Sequence, residues 1–129
     1  MTRGYRNNNP LNIRRSVQEF QGEITSNDLS FKTFRSMAYG YRAAMKILKT
    51  YITKYKCDTI KSIISRWAPE NENNTQGYIK AVSSRTKIPI SQKITFTKGF
   101  ICAIVSAMSY VENGVKADEK EIALGWDLL

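Results

Sequence analysis

The 129-residue sequence contains no histidine and only two cysteines, and these shortages exclude several classes of chemistry. Without histidine, the Ser-His and Cys-His nucleophilic mechanisms and the commonest metal ligand are missing. Cys57 and Cys102 lie far apart in the chain and form no recognisable zinc motif, so we expect a reduced pair, no metal ion and no other cofactor. Any catalysis must therefore rest on Glu, Asp, Tyr or Lys side chains.

Long hydrophobic runs and a secretory signal are missing as well. No stretch is apolar enough over the length needed to cross a bilayer, and residues 1–10 lack the apolar segment of a cleaved signal peptide. We therefore expect no membrane span and a protein that is cytoplasmic as synthesised. The length predicts one domain, residues 1–129.

Acidic residues are scarce, because 11 Asp and Glu oppose 20 Lys and Arg and leave a formal charge of +9. Such an excess favours an anionic partner, which includes nucleic acid, a membrane surface and an anionic cell-wall polymer. The sequence contains no recognised nucleic-acid-binding module, so we expect no specific nucleic-acid partner.

The most apolar stretch is residues 97–114, TKGFICAIVSAMSYVENG. Apolar side chains recur at helical spacing and cover most of the circumference, which predicts a central buried helix over residues 97–113. Glu112 continues the stripe of Ile101, Val105 and Met108 to the point where this helix ends. The helix dipole and partial burial both disfavour the ionised carboxylate there, which suits a proton donor. The alternative is a last-turn glutamate that swings into solvent.

The remaining pattern predicts a small hairpin and four further helices. Residues 19–24 and 29–34 flank a turn and predict the hairpin, which carries Glu23 near a strand end and Asp28 in the turn. Either acid is a candidate for the second carboxylate of glycoside hydrolysis, or a solvated surface acid, and we choose Glu23. The whole order predicts a mainly helical α+β domain with one small β-hairpin and about five helices.

Asparagines and aromatic residues supply candidates for ligand binding. Amides of the Asn-rich opening segment, Asn9 and Asn12 among them, either shape turns or line a polar cleft for a ligand rich in hydroxyl or amide groups. Asn74 is equally suited to cap a helix. Trp67 and Tyr78, near the ends of neighbouring helices, either stack on sugar rings or belong to the core.

Six motifs are spread over nearly the whole chain. They are NNNPLNIR (7–14), FQG (20–22), FKTFRS (31–36), GYRA (40–43), WAPENENNT (67–75) and Tyr78-Ile79. Together they resemble a family of small phage and prophage proteins, often labelled virion structural proteins, that look like lysozyme-type domains. The resemblance implies a lysozyme-like fold and a phage setting.

A second, weaker pattern is the order of Asn12-Ile13-Arg14, the hairpin and Phe34-Arg35. It is similar to the bacterial wall glucosaminidases of glycoside hydrolase family 73. In lysozyme-like folds the catalytic Glu closes a buried helix that precedes the hairpin, whereas here the helix that ends at Glu112 comes last. The resemblance therefore implies a circularly permuted arrangement in which Glu112 matches the acid.

With these resemblances, the hypothesis is a phage-derived peptidoglycan-degrading glycosidase: a muramidase, a glucosaminidase or a lytic transglycosylase. Glu112 would protonate the glycosidic oxygen of the glycan strand and Glu23 would be its partner. The predicted substrate-binding residues are Asn9, Asn12, Trp67, Asn74 and Tyr78. The protein would act in the virion or at the cell wall. The alternative is a non-catalytic virion structural or wall-binding protein, with other virion proteins as partners.

Overall fold

The computed structural model describes all 129 residues and confirms the mainly helical α+β class. None of its helices combines the length and the apolar character needed to cross a membrane. The elements in chain order are α1 (Arg3–Arg6), β1 (Glu23–Ile24), β2 (Thr33–Phe34), α2 (Met37–Thr53), α3 (Ile60–Trp67), α4 (Thr75–Thr86), α5 (Lys98–Asn113) and α6 (Glu119–Asp127).

The hairpin is shorter than the sequence predicts. β1 and β2 are antiparallel and pair over two residues each, with Glu23 opposite Phe34. The segment before β2 pairs instead with the N-terminal loop, which we define as residues 7–15. Arg15 N–H donates to the Ser30 carbonyl at 2.9 Å and Lys32 N–H donates to the Ile13 carbonyl at 3.0 Å. The N-terminal loop therefore takes hydrogen bonds that a longer hairpin would use.

Helix α5 is the predicted central helix, and it packs against α4, α6 and α2. Its inner face buries Ile101, Ile104, Val105 and Met108 completely, as the apolar stripe predicts. Gly114, at a φ of 72°, ends the helix in the left-handed conformation that favours glycine. The sequence therefore predicts both the position and the end of this helix.

The N-terminal loop is attached to the last turn of α5. The Asn113 side-chain amide donates to the Pro10 carbonyl at 2.7 Å, and the Thr2 hydroxyl donates to Asn113 Oδ1 at 2.7 Å. The loop also lies directly on α2, because a Cβ added to Gly40 would be 2.1 Å from the Asn8 carbonyl oxygen. These contacts hold the start of the chain against the end of its central helix.

Replacing Gly40 with alanine should therefore destabilise the protein. The new methyl group would overlap backbone atoms of the N-terminal loop, and overpacking of this kind typically lowers the free energy of unfolding by about 1–3 kcal/mol. Gly99→Ala is the matched control, since a Cβ there meets nothing within 4 Å and helix propensity favours alanine. Urea unfolding of both variants measures the difference. Equal stability of Gly40→Ala and wild type would contradict the close approach.

Candidate active site

A groove crosses the surface between the N-terminal loop, the α3–α4 connection and the end of α5. It consists of three adjoining segments that share lining residues. The Tyr78 segment has a volume of about 400 Å³ and is lined by Asn73, Asn74, Gly77, Tyr78, Val111 and Glu112. The Glu72 segment, about 200 Å³, is lined by Leu11, Asn12, Arg14, Phe31, Trp67, Ala68, Glu72, Asn73 and Glu112. The Tyr51 segment, about 220 Å³, is lined by Asn12, Ile13, Arg14, Ile47, Tyr51 and Trp67.

Glu112 lies where the Tyr78 and Glu72 segments meet. The Asn12 side-chain amide donates to Glu112 Oε1 at 2.8 Å, and the Tyr78 hydroxyl donates to Oε2 at 2.9 Å. The carboxylate is partly buried and makes no ion pair. Two neutral donors from separate elements, the N-terminal loop and α4, therefore fix its position, and the side chain does not swing freely into solvent.

Tyr78 reaches Glu112 because α4 packs along α5. Its side chain is buried, with 8% of the residue exposed, so most of the ring belongs to the core. Burial raises the pKa of the Tyr78 hydroxyl, and the charge of Glu112 and the hydrogen bond to it raise this pKa further. The hydroxyl therefore stays protonated at any physiological pH and remains a donor.

Asn12 owes its position to a left-handed backbone and to Asn9. Its φ is 53°, a conformation that asparagine tolerates better than most residues. The fully buried Asn9 side chain donates to the carbonyls of Ile13 and Lys32 and accepts from Ile13 N–H. Asn9 therefore shapes the N-terminal loop from inside and does not line the groove, whereas Asn12 reaches into it.

Trp67 and Asn74 both line the groove. Trp67 is the last residue of α3, lies between the Glu72 and Tyr51 segments, and meets the Tyr51 ring edge-on at 6.3 Å between centroids. Asn74 is the N-cap of α4, because its Oδ1 accepts from Gly77 N–H at 3.1 Å. The exposed part of the Asn74 side chain lines the Tyr78 segment.

Glu23 lies outside the groove, in a separate concavity of about 450 Å³ beside the hairpin. Both of its carboxylate oxygens are 3.0 Å from Lys32 Nζ, and the Lys32 side chain is only 1% exposed. This concavity is larger than each of the groove segments, but the Glu23 carboxylate and the Lys32 ammonium inside it neutralise each other. The structure thus brings Glu112 together with Asn12, Trp67, Asn74 and Tyr78, but not with Asn9 or Glu23.

The groove also contains Glu72 and Asn73, which sequence reasoning passed over as part of a helix-cap segment. Glu72 Oε2 lies 3.8 Å from Arg14 Nη2. The available signal was their position inside the WAPENENNT motif, between two residues already chosen for the cleft. No group of three His, Cys, Asp or Glu side chains is arranged to hold a metal ion.

Replacing Glu23 with alanine should lower stability. The change leaves the buried Lys32 ammonium with only the Ser16 and Gln18 carbonyls, and lost hydrogen bonds to a charged group are worth about 1.5–3 kcal/mol. Chemical denaturation measures the loss. Glu19→Ala is the control, because Glu19 borders the same concavity, is exposed and makes no ion pair. If the two variants are equally stable, the ion pair does not support the hairpin.

No protein-family model matches the chain. The chain is 43% identical over 116 residues to protein P5 of Pseudoalteromonas phage PM2, an alignment that covers 87% of this chain and 71% of P5. The phage association expected from the motifs is thereby confirmed. At this identity over most of both proteins, the chain belongs to the family of phage PM2 protein P5.

Proposed function

We propose that this protein is a phage-derived peptidoglycan glycosidase in which Glu112 protonates the glycosidic oxygen of a glycan strand. The observation that carries the proposal is the position of Glu112, held by Asn12 and Tyr78 at the middle of the groove. A general acid must be held within hydrogen-bond reach of the leaving oxygen. A freely rotating surface glutamate does not meet that requirement.

The hydrogen-bond pattern leaves room for the acid function. A carboxylate offers about four lone-pair sites, and the two donors occupy one site on each oxygen. A remaining site is available for the proton, and the protonated carboxyl group can then donate to the glycosidic oxygen. When the proton passes to the glycosidic oxygen, the bond from that oxygen to the anomeric carbon breaks and an oxocarbenium-like sugar forms.

The rest of the groove fits a glycan strand. Its three segments follow one another, so consecutive sugar units have places on both sides of Glu112. The amides of Asn12, Asn73 and Asn74 match hydroxyl and N-acetyl groups, and Trp67 offers an aromatic edge for a sugar ring. The charge of +9 favours attachment to an anionic cell wall.

The wider setting is part of the same proposal. Residues 1–129 would form one lysozyme-like domain with a permuted order of helix and hairpin, made in the cytoplasm and active in the virion or at the cell wall. The arrangement of a buried helix with a glutamate in its last turn supports it, and so does the relation to a phage protein. Other virion proteins are then natural further partners.

Glu112→Gln should abolish clearing of peptidoglycan in a gel assay and leave thermal stability equal or higher. Glutamine keeps both contacts, because its carbonyl accepts from Asn12 and its amide donates to the Tyr78 oxygen, but it has no proton to transfer. Asp127→Asn is the control, since Asp127 is an exposed acid in the last turn of α6. Clearing by Glu112→Gln would remove Glu112 from the mechanism.

Co-sedimentation with isolated cell-wall sacculi tests the alternative function. Wild-type protein that sediments with isolated cell-wall sacculi but releases no muropeptides would be a non-catalytic wall-binding or virion structural protein. Wild-type protein that neither binds nor degrades sacculi would contradict both wall functions.

Tyr78→Phe should slow glycan release by roughly 10- to 100-fold while binding to sacculi stays unchanged. The substitution removes one hydrogen bond to a charged group, worth about 1.5–3 kcal/mol, and lets the carboxylate leave its position. Tyr41→Phe is the control. It removes a buried hydroxyl that lies 3.1 Å from the Ser109 hydroxyl, and neither residue lines the groove. Initial release rates and co-sedimentation are the measurements. Weaker binding at an unchanged rate would assign Tyr78 to substrate binding instead.

A further inference from the structure

Hydrolysis of a glycosidic bond commonly uses two carboxyl groups, and the structure removes Glu23 from the second role. Glu23 lies in the hairpin concavity and is engaged by the buried Lys32 ammonium. Among the residues that line the three groove segments, only Glu112 and Glu72 are acids. Both line the Glu72 segment, so two carboxyl groups with different hydrogen-bond partners border one cavity of about 200 Å³.

We infer that Glu72 is the second catalytic carboxylate, that it acts as a general base on water, and that the reaction is therefore hydrolysis and not transglycosylation. The inference rests on the proposed function and adds the second residue and the type of reaction. The substrate is the glycan strand that the proposed function places across Glu112.

The surroundings of Glu72 suit a base. Its side chain is 55% exposed, so water reaches it, and its nearest cation, Arg14 Nη2, is 3.8 Å away and makes no hydrogen bond to it. Arg14 lines the same segment, and its backbone forms a bridge with Phe31, which fixes that side of the groove. Glu72 thus has acceptor sites free for water, whereas each oxygen of Glu112 already accepts a hydrogen bond.

The two roles balance in atoms and charge. Glu112 gives its proton to the glycosidic oxygen as the bond from that oxygen to the anomeric carbon breaks. A water molecule in the Glu72 segment attacks the anomeric carbon, and Glu72 takes a proton from it. The net change is the addition of one water, and exchange of a proton with solvent restores both carboxyl groups. An inverting glycosidase needs room for this water beside its base, and the cavity that Glu72 and Glu112 both line is large enough to hold it.

Glu72→Gln tests the role directly. Release of muropeptides from purified sacculi should fall by roughly a hundred- to ten-thousand-fold, the usual contribution of a general base, while binding to sacculi is retained. Glu70→Gln is the matched control, because Glu70 is an exposed acid two residues away that does not line the groove. Thermal unfolding of both variants checks that the fold is intact.

Two further measurements distinguish a base from a binding residue. Azide attacks the anomeric carbon without losing a proton, so it should restore cleavage by Glu72→Ala and give a glycosyl azide, but it should not rescue Glu112→Gln. Mass analysis of wild-type products should find ordinary reducing ends, one water heavier than the anhydro ends left by transglycosylation.

The outcomes separate the two levels of the proposal. If Glu72→Gln keeps the wild-type rate, azide fails to rescue Glu72→Ala, or wild type leaves anhydro ends, the role of Glu72 is wrong while Glu112 stands. If wild type releases no fragments, the proposed function fails and the role of Glu72 fails with it.

Discussion

The hydrogen bond from Asn12 to Glu112 joins parts of the chain that are 100 residues apart, and the groove depends on it. Hydrogen bonds to charged groups are worth about 1.5–3 kcal/mol, several times more than a typical exposed ion pair. Asn113 strengthens the same junction, because its side chain donates to the Pro10 carbonyl and accepts from the Thr2 hydroxyl. The end of α5 and the N-terminal loop therefore form one wall, against which the α3–α4 connection completes the groove.

Glu23 and Glu112 show that the partners of a carboxylate decide its role. Glu23 faces a buried ammonium, and removing either partner leaves a charge without compensation, so the pair is structural. Glu112 faces two neutral donors, which fix its orientation without neutralising its charge. A carboxyl group held in this way is what the proposed acid role requires. Their sequence neighbourhoods alone do not distinguish these two situations.

Periodicity was sufficient to predict α5, its end at Gly114 and the mainly helical α+β class, because these depend on local spacing of apolar residues and on glycine. It was not sufficient to separate Asn9 from Asn12. Both belong to one Asn-rich loop, yet one is fully buried and the other reaches Glu112, because the left-handed residue at position 12 turns the chain. The sequence predicts too long a hairpin for a similar reason, because it does not show that the segment before β2 pairs with the N-terminal loop.

The position of Glu112 carries an electrostatic conflict that the tertiary structure resolves. A negative charge in the last turn meets the negative end of the helix dipole, which costs about 0.3–1 kcal/mol at a surface site. The hydrogen bonds from Asn12 and Tyr78 hold the side chain at this position, although an acid is locally unfavourable there. Neither donor belongs to α5: Asn12 comes from the N-terminal loop and Tyr78 from α4. A locally unfavourable position that two other elements stabilise is typical of functional side chains. A surface glutamate without a function is usually exposed and makes no such contacts.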